Sequence, residues 1–222
     1  MQASIKAISV YLPKNKLSND DLSKEFPLWS ADKISKKTGI YSRSISEKNE
    51  TSGDMAVSVS EKLFFEHKLD KSKIDFILLC TQSPDYFLPT TACIVQNKLE
   101  LQTNCGALDF NLGCSGYIYG LALAKGLITS GIANNVLLIT SETYSKYIHK
   151  QDKSNRTIFG DAAAASLISK DDYGIIEQFS LGSDGSGADN LIVKNGAAKF
   201  PKVIGKNQFD NDDFLKNDSN LY

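Results

Sequence analysis

Thiols are strong nucleophiles near neutral pH, and this sequence has four, at Cys80, Cys93, Cys105 and Cys114. Cys114 stands apart by its neighbours. It lies in Gly113-Cys114-Ser115-Gly116, after an apolar stretch that reads as a strand (Gly106–Leu112) and before one that reads as a helix (Ser115–Ser130). A residue so placed sits at a helix N-terminus, where the dipole and unpaired backbone N–H groups favour an anion such as a thiolate. Its small neighbours leave the sulfur approachable, as group transfer through a covalent intermediate requires. The competing reading is a buried, inert thiol. Cys80, Cys93 and Cys105 fall in or beside apolar patterns and read as such filling. No two cysteines form a C-x-x-C pair, so no metal site is expected. Ser115 is a rival nucleophile, but the G-x-S-x-G elbow needs glycine where Tyr117 stands.

The elements that must position this turn alternate. Ile5–Val10 reads as a strand, and Asp54–His67 as a helix with Met55, Val59 and Leu63 on one face and Lys62 and Glu66 on the other. Ile74–Cys80 (IDFILLC) is a continuous apolar run, expected of a strand buried on both faces. Thr90 or Thr91 is placed to cap a helix reaching about Leu99. Val136–Thr140 is another strand, and Ala162–Ser169 with Gly174–Ser180 read as a closing strand pair around a turn at Asp171–Tyr173. The helix after Cys114 is apolar on nearly every face, which predicts a core position. Strands separated by helices predict an α/β fold with a largely parallel sheet and helices on both faces.

Composition narrows the function classes. The 222 residues carry 25 Lys+Arg against 26 Asp+Glu, a net charge of −1, with 41% hydrophobic residues. That is ordinary globular usage. Without a basic block, neither nucleic acid nor an anionic membrane surface is an expected partner. No apolar run approaches a transmembrane length, and the opening MQASIKAISVYLP reads as a first strand rather than an export signal, so a reducing cytoplasm is expected. Gly160-Asp161 reads as structural: a close backbone approach and an acid satisfied by backbone donors. GSDGSG at 182–187 has no Walker lysine and reads as a turn. Residues 206–222 are polar without clear period, and the chain stops without completing an element, which predicts a fragment of a longer architecture.

The run DFNLGCSGYIYGLALAKGLITSG resembles the active-site segment of the β-ketoacyl-ACP synthase III family of the thiolase superfamily. Lys37-Thr38-Gly39-Ile40-Tyr41-Ser42-Arg43 is similar to that family's R-T-G-I-x-x-R segment. SPDYFLPTTAC (83–93) resembles its dimer-edge stretch, RTIFGDAAAA (156–165) its F-G-D-G-A-x-A motif, and LGSDGSG (181–187) the turn opening its second half. The resemblance covers roughly residues 3–195, and several motifs in one order are more specific than any alone.

The resemblance implies a thiolase-like fold, one half of a duplicated α-β-α-β-α architecture, with 1–170 as the N-terminal half and 171–222 as the start of the second. It implies that Cys114 accepts an acyl group from acyl-CoA or acyl-ACP and that the acyl-enzyme condenses with malonyl-ACP by decarboxylative Claisen chemistry in fatty acid or related biosynthesis. No permanently bound cofactor is implied. The family's catalytic His and Asn belong to its second half, and neither His67 nor His149 matches them. Lys37, Thr38 and Arg156 stand where the family contacts CoA, and Leu88 and Phe159 where it lines the acyl pocket. Lys33 takes the place of an adenine-stacking Trp, with Trp29 four residues earlier. The Lys33–Lys37 face suits CoA phosphates or an acidic carrier protein, or is simply solvated. A homodimer is implied, with Tyr86-Phe87-Leu88 at its interface. Two alternatives share the fold: an acyltransferase with another acceptor (ester, amide or hydroxymethylglutaryl-CoA synthase-type chemistry), and a non-catalytic dimer partner.

Overall fold

The computed structural model describes residues 2–171, 175–193 and 197–199. In chain order the elements are β1 (Ala3–Tyr11), β2 (Asn15–Ser18), α1 (Asn19–Glu25), α2 (Ala31–Thr38), β3 (Ser42–Ile45), α3 (Ser52–His67), β4 (Phe76–Cys80), α4 (Thr91–Lys98), β5 (Gly106–Phe110), α5 (Gly116–Thr129), β6 (Asn135–Glu142), α6 (Lys153–Arg156) and β7 (Ala162–Lys170). They fall into two compact units: the chain up to Pro13 with Ser46–Thr143 and Asp161–Leu181, and Lys14–Ile45 with Tyr144–Gly160 and the chain from Gly182.

The first unit is a five-stranded sheet in the order β1-β7-β6-β4-β5. β4 pairs in parallel with β5 and β6, while β7 runs antiparallel between β6 and β1, so four of the five strands point one way. Successive strand residues face opposite sides. Ile77 and Leu79 of β4, with Leu137 and Ile139 of β6, therefore meet Met55, Val59 and Leu63 of α3 and Val95 of α4. Leu78 and Leu138 face the other way, onto Leu121, Ala124 and Ile128 of α5. Both faces of the sheet are covered, which is why IDFILLC is apolar throughout. α3 starts two residues before the periodicity predicts, because Thr51 caps it: its hydroxyl accepts from Asp54 N–H and the Asp54 carboxylate accepts from Thr51 N–H.

Three expectations are corrected. α4 starts after Thr90, yet neither threonine hydroxyl caps it. The Asp109 carboxylate of β5 does so, accepting from Thr91 N–H and Ala92 N–H at 2.6 Å each. The closing pair is not 162–169 with 174–180: β7 lies between β1 and β6, and residues 175–180 form no strand, holding β1 only by a bridge from Ile175 to Ser4 and by Ile176 N–H on Ala3 O at 2.8 Å. Gly174 and most of the expected turn lie outside the described residues. α5 is not enclosed all round, since Ile118 and Leu123 remain 46% and 44% exposed.

In the second unit β2 and β3 pair antiparallel. Arg43 of β3 is buried; its Nε donates to Thr157 O at 3.0 Å and its Nη1 donates to Asn19 Oδ1. A carbon added at Gly160 would come within 2.8 Å of Ser44 O, the close approach expected there. In the first unit Asp161 is satisfied by Ser46, whose N–H and hydroxyl both donate to it at 2.8 Å.

Asp109→Ala orphans two helix-start donors at once, so it should cost about 2 kcal/mol of unfolding free energy. Urea denaturation checks this, and a loss below about 0.5 kcal/mol, the low end for a cap, would contradict the assignment.

Candidate active site

Cys114 is exposed at the end of the segment that leaves β5. The turn Gly113–Gly116 is closed by Gly116 N–H donating to Gly113 O at 2.8 Å, and α5 begins at Gly116. Ser115 makes no side-chain cap, so the first-turn N–H groups of α5 receive no internal acceptor from it. Such a terminus suits the negative charge of a thiolate or of a thioester oxyanion.

The turn is seated on the end of β4. The Cys80 thiol lies beneath it, donating to Leu112 O at 3.2 Å. A side-chain carbon at Gly116 would come within 2.3 Å of Cys80 Sγ, so only glycine lets the helix start this close to the strand. Two residues on, the Gln82 carboxamide lies against Gly113, where an added carbon would meet its Oε1 at 3.0 Å. Gln82 N–H donates to Glu142 Oε1 at 2.6 Å, Ser83 Oγ donates to Glu142 Oε2 at 2.8 Å, and Thr143 N–H donates to Ser83 Oγ at 2.9 Å. Burial outweighs these bonds and pushes the Glu142 carboxyl up to about 7.

The four thiols separate by environment. Burial pushes Cys80 and Cys105 up to about 11, which keeps both protonated and unreactive near neutrality. Cys93, on α4, is exposed, which departs from the expected core position. Of the two exposed thiols, Cys114 alone stands at a strand–helix turn.

The second unit gathers a cationic cluster. Lys33, Lys37 and Lys153 place their ammonium groups 5.3, 5.1 and 4.3 Å from the centre of the Trp29 ring. Lys33 and Lys37 lie four residues apart on α2, so their shared face was legible; Trp29 precedes the helix and Lys153 comes from α6, and neither contact carried a signal. Arg156 is not in the cluster. Its guanidinium is held by both Glu25 carboxylate oxygens and by Lys150 O. The Thr38 hydroxyl is spent locally, donating to Ile34 O at 2.8 Å and accepting from Ile40 N–H at 3.1 Å. Phe159 packs edge-on against Tyr144 at 5.0 Å. In the first unit Leu88 stands out in the loop before α4, 82% exposed.

The contact between Gly116 and Cys80 is testable. Gly116→Ala should destabilise the chain by about 1–3 kcal/mol through overpacking, and Cys80→Ala in the same chain should recover most of that loss in chemical denaturation. Equal losses with and without Cys80→Ala would show that the sulfur is not the obstacle.

Comparison with known proteins agrees with this geometry. The family model of 3-oxoacyl-[acyl-carrier-protein] synthase III matches residues 108–185, which include the Cys114 turn. The β-ketoacyl-[acyl-carrier-protein] synthase III of Clostridium perfringens (strain 13 / Type A) is 39% identical over 211 residues, 94% of this chain and 64% of that protein. A crystal structure of a 3-oxoacyl-(acyl-carrier-protein) synthase III superposes with a TM-score of 0.86 at 45% identity, covering 99% of this chain and 66% of the other. The corresponding enzyme of Pseudomonas aeruginosa PAO1 gives a TM-score of 0.82 at 30% identity, over 98% of this chain and 64% of the other. The chain thus spans somewhat under two thirds of the length of these relatives. By sequence and by thiolase-like fold, it belongs to the β-ketoacyl-ACP synthase III family.

Proposed function

We propose that Cys114 is the acyl acceptor of a β-ketoacyl-ACP synthase III-type acyltransferase. The observation that carries this is the exposed thiol on the turn that opens α5, in a chain of this family. In the first half-reaction the Cys114 thiolate, its proton lost to solvent, attacks the carbonyl carbon of an acyl thioester. The oxyanion forms beside the first-turn N–H groups of α5 that follow Gly116, whose own N–H is taken by Gly113 O. It collapses with cleavage of the donor's C–S bond, and the donor leaves as a thiolate that takes a proton from water. The acyl group is then held as a thioester on Cys114.

The second half-reaction, decarboxylative condensation with malonyl-ACP, is assigned to the complete enzyme and to the His and Asn of the family's second half, which residues from 171 onward open. The histidines of this chain are engaged elsewhere: His67 Nε2 lies 3.3 Å from Ile8 O, and His149 Nδ1 accepts from Gln151 N–H at 3.1 Å. Acyl-CoA, acyl-ACP and malonyl-ACP are the proposed substrates, with no permanently bound cofactor.

The Trp29–Lys33–Lys37–Lys153 cluster supports an anionic donor. Among the described residues none of its lysines is paired with a carboxylate. An indole flanked by ammonium groups suits a purine and phosphates, or the acidic face of a carrier protein. We assign Lys37 and Lys153 to that contact, with Thr38 holding the end of α2. The place expected of Arg156 passes to Lys153, because Glu25 occupies the arginine. Leu88 and Phe159 are proposed to line the acyl pocket in the assembled enzyme. The open edge of β5 and the exposed Tyr86-Phe87-Leu88 loop support a homodimer. No described helix is long and apolar enough to cross a membrane, and we place the protein in the cytoplasm.

Intact mass after incubation with acetyl-CoA and with acyl-carrier protein tests the reading. An acyl-sized gain, reversed by hydroxylamine and lost in Cys114→Ala, is expected. Lys153→Ala should raise several-fold the acyl-CoA concentration that half-saturates the rate of Cys114 acylation, with little change in the maximal acylation rate, the mark of a binding contact. A gain that persists in Cys114→Ala would refute the assignment.

A further inference from the structure

The end of β4 does more than continue the sheet. Gln82 is exposed, yet its backbone and side chain are engaged in different directions. The N–H is drawn onto Glu142 Oε1 at 2.6 Å, while the carboxamide lies against Gly113, the residue before Cys114. The other oxygen of Glu142 accepts from Ser83 Oγ at 2.8 Å, and that hydroxyl in turn accepts from Thr143 N–H at 2.9 Å. Ser83 N–H donates to Thr81 Oγ1 at 3.1 Å. Residues 81–83 are therefore pinned by bonds that have nothing to do with the sheet ladder, and the pinned segment forms one wall of the nucleophile's turn.

A wall built for shape alone would not call for a carboxylate. Burial and the nearby Asp161 carboxylate both act against the charge of Glu142. The described residues give it no cation as compensation. Keeping an acid there costs stability that Gln or Leu would not, and its two oxygens are spent on the two residues that shape the wall.

We infer that Gln82 and Glu142 are positioning residues for Cys114: Glu142 fixes the chain at residues 82–83, and the Gln82 carboxamide then holds Gly113 so that Sγ of Cys114 stays aimed at the N-terminus of α5. The inference rests on the reading of Cys114 as the nucleophile. Neither residue touches a reacting atom, so their effect is on the aim of the thiol. A displacement of about 1 Å can cost a reacting group up to a hundredfold in rate.

Cys93 supplies an internal control, because it is exposed in the same unit but lies on α4. The measurement is the ratio of iodoacetamide alkylation rates at Cys114 and Cys93, read by peptide mass spectrometry in the whole chain. Gln82→Ala leaves its own N–H bond to Glu142 intact and should still lower that ratio about tenfold. Glu142→Ala should lower it similarly, while Glu142→Gln, which keeps an acceptor for Gln82 N–H, should restore most of it. Gln82→Ala with Glu142→Ala should be no worse than either alone, because one acts through the other. A ratio that stays within twofold of wild type in Gln82→Ala, or that rises, overturns the inference, as does equal slowing at both thiols. Acylation of the wild-type chain is scored separately: if it fails, the nucleophile reading fails, and the alkylation ratio still decides the role of Gln82.

Discussion

Because β4 is bonded in parallel register to β5 on one side and to β6 on the other, the three strands finish at the same edge of the sheet. Everything around Cys114 follows from that constraint. The chain leaving β5 must turn over the end of β4, and it meets Cys80 there. The last residue of β6, Glu142, arrives beside the first residues beyond β4. Open parallel sheets gather ligands at the carboxyl ends of their strands for this reason. Here the same edge gathers a thiol, a helix start and a half-buried acid.

Close approach sets the local chemistry. The Cys80 sulfur leaves no room for a side chain at Gly116, so α5 starts directly against the strand and its N-terminus opens beside Cys114. The two thiols are then opposites within a few residues of space. Cys80 is desolvated and stays protonated, which suits it to donate to Leu112 O, whereas Cys114 faces solvent. Structural and reactive sulfur differ in surroundings, not in kind.

The Cys114 turn, the apolar face of α3 and the doubly buried β4 were legible in sequence because each depends on residues within one or two turns of one another. What was not legible depends on distant partners. Asp109 caps α4 from another strand, and no local pattern marks it. The pairing of Arg156 with Glu25 joins residues 131 apart, and no local pattern marks it. Lys153 reaches the Trp29 ring from α6, and no local pattern marks that contact either. α5 looked enclosed because hydrophobicity reports what a helix can bury, not what is there to bury it. Glu142 offered a weak signal: an acid ending the buried run VLLITSE.

The central claim is that Cys114 carries an acyl group held by the N-terminus of α5. A crystal structure of the chain after incubation with acetyl-CoA tests it most directly. The account predicts an acetyl thioester continuous with Cys114 Sγ, its carbonyl oxygen about 3 Å from backbone N–H groups of the first turn of α5. An unmodified Cys114, with the acetyl group on Cys93 or on a lysine, would contradict it.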